Sequence, residues 1–442
     1  CVPTPYCIFE NPYKLNPGHI LKLDLKQKTS SIEKYWDVSD YYSTPKLDIS
    51  FEEAKIQTKE KLVSAFNYRM VSDVPVGVFL SGGYDSTAVT SILKESSEQQ
   101  IKTYTIGFDV ASRNEAPEAK KIAKYLGTDH HEFYCTENDL IKIIDDIPFY
   151  YDEPFGDPSV TPTMYVSKLA AQEVKVVLSA DGGDEIFAGY NRYMDFVSLK
   201  KKLEMTPNFA LNVIKFATNI IQPKHLPYLN KKQNFENRYE KLKEILRSKD
   251  ELSLFYTLSQ QFTDPQTEKL IRRHHKHPSI FFNGLPAFST PLSMMLSIDY
   301  QTYLNDDILQ KVDRATMSAS IEGREPFLDN RIIEFVAQLP DEYKFFKGEK
   351  KRILKSIVHD YIPEKMMDRP KMGFAIPLPE WFNGKLKNKV EEFINQSDIE
   401  KQGIFDWSEI KLIKDKFYSG RIEYDFKLWY LLMFQMWYKK WM

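Results

Sequence analysis

Two short stretches of the chain hold residue types suited to phosphate chemistry. Ser81-Gly82-Gly83-Tyr84-Asp85-Ser86 (SGGYDS) closes one apolar run, and Ser179 to Glu185 (SADGGDE) closes another. In the first, Gly82 and Gly83 allow a tight turn and a close approach of backbone to a ligand, while Ser81, Ser86 and Thr87 offer hydroxyl donors. A helix starting there presents unpaired N–H groups and the positive end of its dipole, so an anion is the natural guest. The spacing matches neither GxxxxGK[ST] nor GxGxxG. Asp85 inside an anion-binding turn makes sense once a cation is added, because Mg²⁺ takes one or two carboxylates together with phosphate oxygens. SADGGDE offers the second set of carboxylates. An ordinary strand-to-helix turn is the competing reading of either stretch alone; the pair points to Mg²⁺-pyrophosphate held between two acidic turns.

Such turns need strands that end side by side. Val74 to Leu80 is apolar and runs into glycines, as a strand buried on both faces does. Lys102 to Phe108, His131 to Cys135 and Val174 to Leu178 read as further strands. Helical spacing covers Phe51 to Met70, resumes at Ser86 to Leu93, and recurs over Glu115 to Leu126, closed by Gly127. Alternating strands and helices predict an α/β fold with a doubly wound parallel sheet. Beyond Arg192 the strand signals fade, and Phe235–Lys249, Leu296–Arg314 and Asn330–Gln338 are helix-periodic. The expected division is a sheet domain over 51–191 and a mostly helical continuation over 192–442.

Composition bounds the remaining readings. With 442 residues the chain exceeds one ordinary core. Sixty basic against 62 acidic residues give a net charge of −2, so nothing overall favours nucleic acid or a membrane as the main partner. Three cysteines (Cys1, Cys7, Cys135) in no CxxC pair fit a reduced, cytoplasmic setting. No secretory signal is visible. Leu428–Tyr438 is the most apolar segment, too short to cross a bilayer, which needs about 20 residues; it reads as a terminal helix docked by its aromatic face. The basic run Arg272 to His277 reads as a solvated loop.

SGGYDS resembles the pyrophosphate loop of the ATP-pyrophosphatase families, whose fold is adenine-nucleotide α-hydrolase-like. The chain then carries, in order, TYTIGF, HHEF, KVVLSADGGDEIFAGYNRY, DDILQKVDRATMSASIEGREPFLD, EKKRILK and DRPKMGFAIPLPEW. From about Phe51 to the C-terminus this set resembles the synthetase domain of asparagine synthetase. The resemblance implies ATP and Mg²⁺ as cofactors, with Leu80 and Ile106 lining the adenosine pocket. The loop residues Ser81, Gly82, Gly83 and Ser86 would hold phosphate, and Ser179 and Ala180 would meet the nucleotide through backbone. Asp85 and Asp184 would bind Mg²⁺. Asp181, where the family usually has glutamate, would manage the proton of the incoming ammonia, and Lys371 would face the phosphates. Lys351 and Arg324 are second-tier basic candidates, Arg324 being equally readable as an ion-pair partner of Glu322 or Glu325.

The implied reaction is amide formation in two steps. A carboxylate, aspartate in the family, is activated as an acyl-adenylate with release of pyrophosphate; ammonia then displaces AMP. Residues 1–45 resemble the far end of the family's glutamine-hydrolysing domain, so Cys1 is not expected to be its nucleophile. Ammonia would come free or, derived from glutamine, from a glutaminase partner chain; a homodimer is an assembly the resemblance allows. The family's TTIRASTP is replaced by Asp157 to Thr163 (DPSVTPT), with Pro158 near the place of the arginine that would meet aspartate's second carboxylate. A sugar carboxylate of surface-polysaccharide biosynthesis is therefore the alternative acid. A non-catalytic synthetase-like protein is the alternative of another class, opposed by the intact Ser81, Asp85, Ser86, Asp184 and Lys371.

Overall fold

The computed structural model describes residues 1–97, 99–108, 114–225, 234–272, 284–368 and 376–442. Arg273–His277, Lys371 and most of the DRPKMGF motif lie outside the described residues. Contacts divide the chain into two compact units, residues 1–190 with 286–376 and residues 191–285 with 377–442.

The first unit is built on a five-stranded sheet. Its strands are β3 (Val76–Phe79), β4 (Lys102–Phe108), β5 (Asp129–Cys135), β6 (Val176–Leu178) and β7 (Glu322–Arg324), in the order β5-β4-β3-β6-β7 and all parallel. The expected parallel α/β sheet is therefore present. The apolar central strands are covered on both faces, as their near-continuous hydrophobic sequence requires; Val78, Tyr104, Ile106, Val177 and Leu178 are all buried. The order reverses beside β3: β4 and β5 continue on one side, while β6 and β7 add on the other. The loops after β3 and β6 thus flank the crevice where an open α/β sheet takes its ligand.

β7 is a strand that the sequence does not announce. Glu-Gly-Arg has neither alternation nor β-branched residues, yet it pairs with β6 in the register Leu178↔Arg324. The segment read as one helix over 296–314 is a longer helical run from Pro291 to Met317, with wider, π-type winding over Tyr300–Leu309. Other boundaries fall close to expectation. Phe51–Arg69 is one helix, capped by the Ser50 side chain accepting from the Glu53 N–H. Gly127, at φ 67°, ends Ala116–Leu126 in the left-handed cap that glycine adopts without strain.

An antiparallel hairpin, β1 (His19–Asp24) with β2 (Thr29–Lys34), lies in the N-terminal stretch. That stretch is tied into the first unit by Thr4, whose hydroxyl donates to Asp306 at 2.7 Å, and by Trp36, whose Nε1 donates to Glu334 at 2.9 Å. The second unit is helical among the described residues. Its C-terminal helix, Asp425–Trp441, buries Leu428, Trp429 and Leu432 completely. No helix among the described residues is long and apolar enough to cross a membrane.

Candidate active site

The turn after β3 is closed by its own side chains. The Ser81 and Ser86 hydroxyls lie 3.1 Å apart, Ser86 donates to the Gly83 carbonyl at 3.2 Å, and the Ser81 Oγ accepts from the Gly83 N–H at 3.3 Å. Gly82 sits at φ 77°, a conformation other residues adopt only with strain. The helix Tyr84–Ser96 starts here with no side-chain cap, which leaves its N-terminal N–H groups facing the crevice end of the sheet.

The turn after β6 mirrors it. The Ser179 N–H donates to the Arg324 carbonyl at 2.9 Å, continuing the β6–β7 pairing by one step, and the Ser179 hydroxyl donates to Asp181 Oδ2 at 2.5 Å. Gly182, at φ 91°, has no room for a side chain, since a Cβ there would stand 2.5 Å from Leu328.

Between the turns stands Lys351. Its Nζ lies 2.6 Å from Asp184 Oδ1 and donates to Asp85 Oδ2. The residue is in left-handed backbone at φ 56° and opens the helix Arg352–Val358. Burial works against its charge, but Asp184 and then Asp85 more than offset this and hold the ammonium well above the usual lysine range. Bare backbone makes room for the cluster: a Cβ on Gly183 would stand 2.6 Å from Asp85 Oδ1, and one on Gly189 would overlap Asp184 Oδ1 and the Lys351 side chain.

Two carboxylates that already share one cation form a donor set suited to Mg²⁺. Among the described residues no group of three or more metal-ligating side chains is assembled.

A cavity of about 460 Å³ opens over these loops. Ser81, Gly82, Gly83, Asp85, Ser86, Ser179, Ala180, Asp181 and Asp184 line it, together with Leu80 and Ile106. Lys350, Lys351 and Lys355 line it as well. Arg324 is elsewhere: it pairs with Glu322 at 2.7 Å and donates to the carbonyls of Arg69 and Val71, so it acts as a brace for the sheet edge.

Several lining or adjacent groups were not anticipated. Lys311, from the helical run after the π-type turns, donates to Asp157 at 3.2 Å and to the Ser159 hydroxyl at 3.1 Å. Asp157, despite burial, is held below the usual carboxylate range by Lys311 and by hydrogen bonds from Ser159. Glu185 is pushed up to about 7 by burial and by neighbouring Asp184, although the Tyr190 hydroxyl donates to it at 2.6 Å. Glu325 follows β7 on the strand next to Asp181's, and its Oε1 is enclosed with no hydrogen-bond partner among the described residues. Burial, then the charges of Asp181 and Asp313, push its carboxyl up to about 8. The lysine of the DDILQKVD motif stood among quoted residues, but no spacing tied it to Asp157, 154 positions away.

The fold and this site define an open parallel α/β protein with a charged crevice at its switch point. Residues 57–439 match the family model described as asparagine synthase, and the chain belongs to that family. It is 27% identical to asparagine synthetase [glutamine-hydrolyzing] 1 of Bacillus subtilis, over 99% of this chain and 66% of that protein. It is 25% identical to asparagine synthetase [glutamine-hydrolyzing] 3 of the same species, over 90% of this chain and 59% of the relative. A third relative is amidase chry2 of Gibberella zeae, 24% identical over 90% of this chain and 63% of its own length. The chain thus spans just under two thirds, or less, of the length of these curated relatives.

Proposed function

We propose that the chain carries out ATP-dependent amide formation. The observation that carries this reading is the Asp85–Lys351–Asp184 cluster between two glycine turns at the sheet's switch point. In the first step a substrate carboxylate oxygen bonds to the α-phosphorus of ATP and the bond to pyrophosphate breaks. In the second, ammonia bonds to the acyl carbon, AMP leaves, and the nitrogen gives up a proton. Both steps chiefly require positioning and neutralised phosphate charge. Asp85 and Asp184 would hold Mg²⁺, which supplies Lewis-acid stabilisation of the phosphate oxygens. Lys351 would neutralise the departing pyrophosphate, Leu80 and Ile106 would enclose the adenosine, and Asp181 would receive the proton. Lys371 is proposed for the same phosphates on the strength of its motif.

Aspartate is the acid that family membership suggests. A sugar carboxylate is supported by one observation: Lys311, which lines the cavity, is already engaged by Asp157. Residues 1–45 are read as the end of a glutamine-hydrolysing domain, and ammonia as arriving free or from a partner chain. The deciding experiment measures pyrophosphate release with ATP, Mg²⁺ and ammonium, with aspartate or with a uronic acid, and uses Asp85→Ala as the blank. Acid-dependent release with matching amide product supports the reading. Absence of release with every acid overturns it.

A further inference from the structure

The helix Asn208–Ile220 in the second unit turns its apolar side outward. Phe209, Val213, Phe216 and Ile220 are 73%, 64%, 68% and 58% exposed. At 100° per residue these four fall within about 60° of arc and run roughly 16 Å along the axis. The helix docks by its opposite side, where Thr218 is buried and the Tyr239 hydroxyl donates to the Ile221 carbonyl at 2.6 Å. A water-exposed helix normally shows the reverse arrangement.

Charge is one-sided along the sequence that leads into and through this helix. Residues 198–224 contain five lysines and a single acid, Glu204, whereas the whole chain balances 60 basic against 62 acidic residues. Lys200 is engaged by Glu251 at 2.5 Å. Lys201 and Lys202 are exposed and stand one turn before Met205, on either side of that 73% exposed side chain. Along the apolar helix the polar flank is Asn208, Asn212, Lys215 and Asn219, with no carboxylate. A stripe of phenylalanine and branched aliphatics on a helix that carries Lys215 and follows Lys201 and Lys202 in the chain is the pattern of a helix lying in a membrane interface.

We propose that Asn208–Ile220 lies on an anionic lipid surface, its Phe209–Ile220 stripe entering the acyl boundary while Lys201, Lys202 and Lys215 meet the headgroups. Such a helix lies on the bilayer without crossing it. A net charge near zero hides the local excess, and attraction to the headgroups acts within about 10 Å at moderate salt.

Sedimentation of the full chain with vesicles tests this. Vesicles of phosphatidylglycerol and phosphatidylcholine at low salt should bind it at least about ten-fold better than phosphatidylcholine alone, with the difference shrinking as salt rises. Phe209→Glu with Phe216→Glu should abolish binding while circular dichroism stays unchanged. Lys201→Glu with Lys202→Glu should weaken it and flatten the salt dependence. No sedimentation of the wild-type chain with anionic vesicles would overturn the proposal. So would self-association that Phe216→Glu abolishes in a chain that ignores vesicles, since a second copy would then be the occupant. Pyrophosphate release plays no part in these readouts, so the proposed chemistry can fail without affecting them.

Discussion

The Lys351 ammonium stands 2.6 Å from Asp184 and hydrogen-bonds Asp85 at the same time. One cation from a segment 266 positions further along the chain thereby joins the two acidic turns of the site. Without it, two half-buried carboxylates at the start of two helices would lose the ammonium they share. On the proposed function, this places a fixed positive charge where phosphate charge would gather.

Removing the ammonium should therefore cost more than a surface lysine would. Lys351→Ala removes a buried ammonium that Asp85 and Asp184 both engage, a loss of charge-assisted contacts of the kind that costs about 1–3 kcal/mol. Acid-dependent pyrophosphate release should fall by about 100-fold or more. Raising Mg²⁺ should recover part of the melting temperature if the ion occupies the same place, and a melt in EDTA against one in Mg²⁺ measures this. Equal melts for the wild type and the variant would contradict the pairing.

Gly189→Ala tests the space around the cluster. Its Cβ would collide with Asp184 Oδ1 and the Lys351 side chain, and neither can withdraw without breaking the ion pair. Pyrophosphate release should drop by at least about ten-fold, in line with the cost of small misplacements at reacting centres. The fold should persist by circular dichroism.

Glu325 should make stability fall as pH rises. Its folded value of about 8 lies above the ordinary glutamate range, so between about pH 4.5 and 8 the folded chain keeps a proton that the unfolded chain has lost. The contribution is intact below that window and is lost through it. Glu325→Gln removes the titrating group, so its stability relative to wild type should rise by about 1–3 kcal/mol between pH 5 and pH 8.5, measured by urea unfolding.

Lys344 should act in the opposite sense at higher pH. Its side chain is fully buried, its Nζ donates to the carbonyls of Val336 and Leu339 at 3.1 Å each, and burial followed by Lys46 lowers its value to about 7. From about pH 7 to 10 the unfolded chain binds the extra proton, so stability attributable to this residue should rise with pH. Lys344→Met should flatten the rise by about 1–3 kcal/mol between pH 7 and 9.5. An unchanged slope would remove Lys344 as its source.

Much of the site was legible from local pattern. An apolar run ending in paired glycines can be little else than a buried strand entering a turn, and Asp85 within it already demanded a cation. Strands β3, β4, β5 and β6 follow from their runs of β-formers. β7 was not legible, because Glu-Gly-Arg has no periodicity and becomes a strand only by completing the edge beside β6. Lys351 was legible as a second-tier basic candidate, but its pairing with both Asp85 and Asp184 comes only from tertiary packing. Lys311 and Glu325 likewise acquire their surroundings from packing.

The amino-acid sequence by itself determined which chemical groups are present, where the chain turns, and that helices and strands alternate over its first half. These are consequences of backbone conformation and side-chain hydrophobicity acting over a few residues. Tertiary structure alone decided the strand order β5-β4-β3-β6-β7, the meeting of two acidic turns around one lysine, and the burial that shifts Glu185 and Glu325. Those outcomes depend on which distant surfaces exclude water from one another, and no short stretch of sequence encodes that choice.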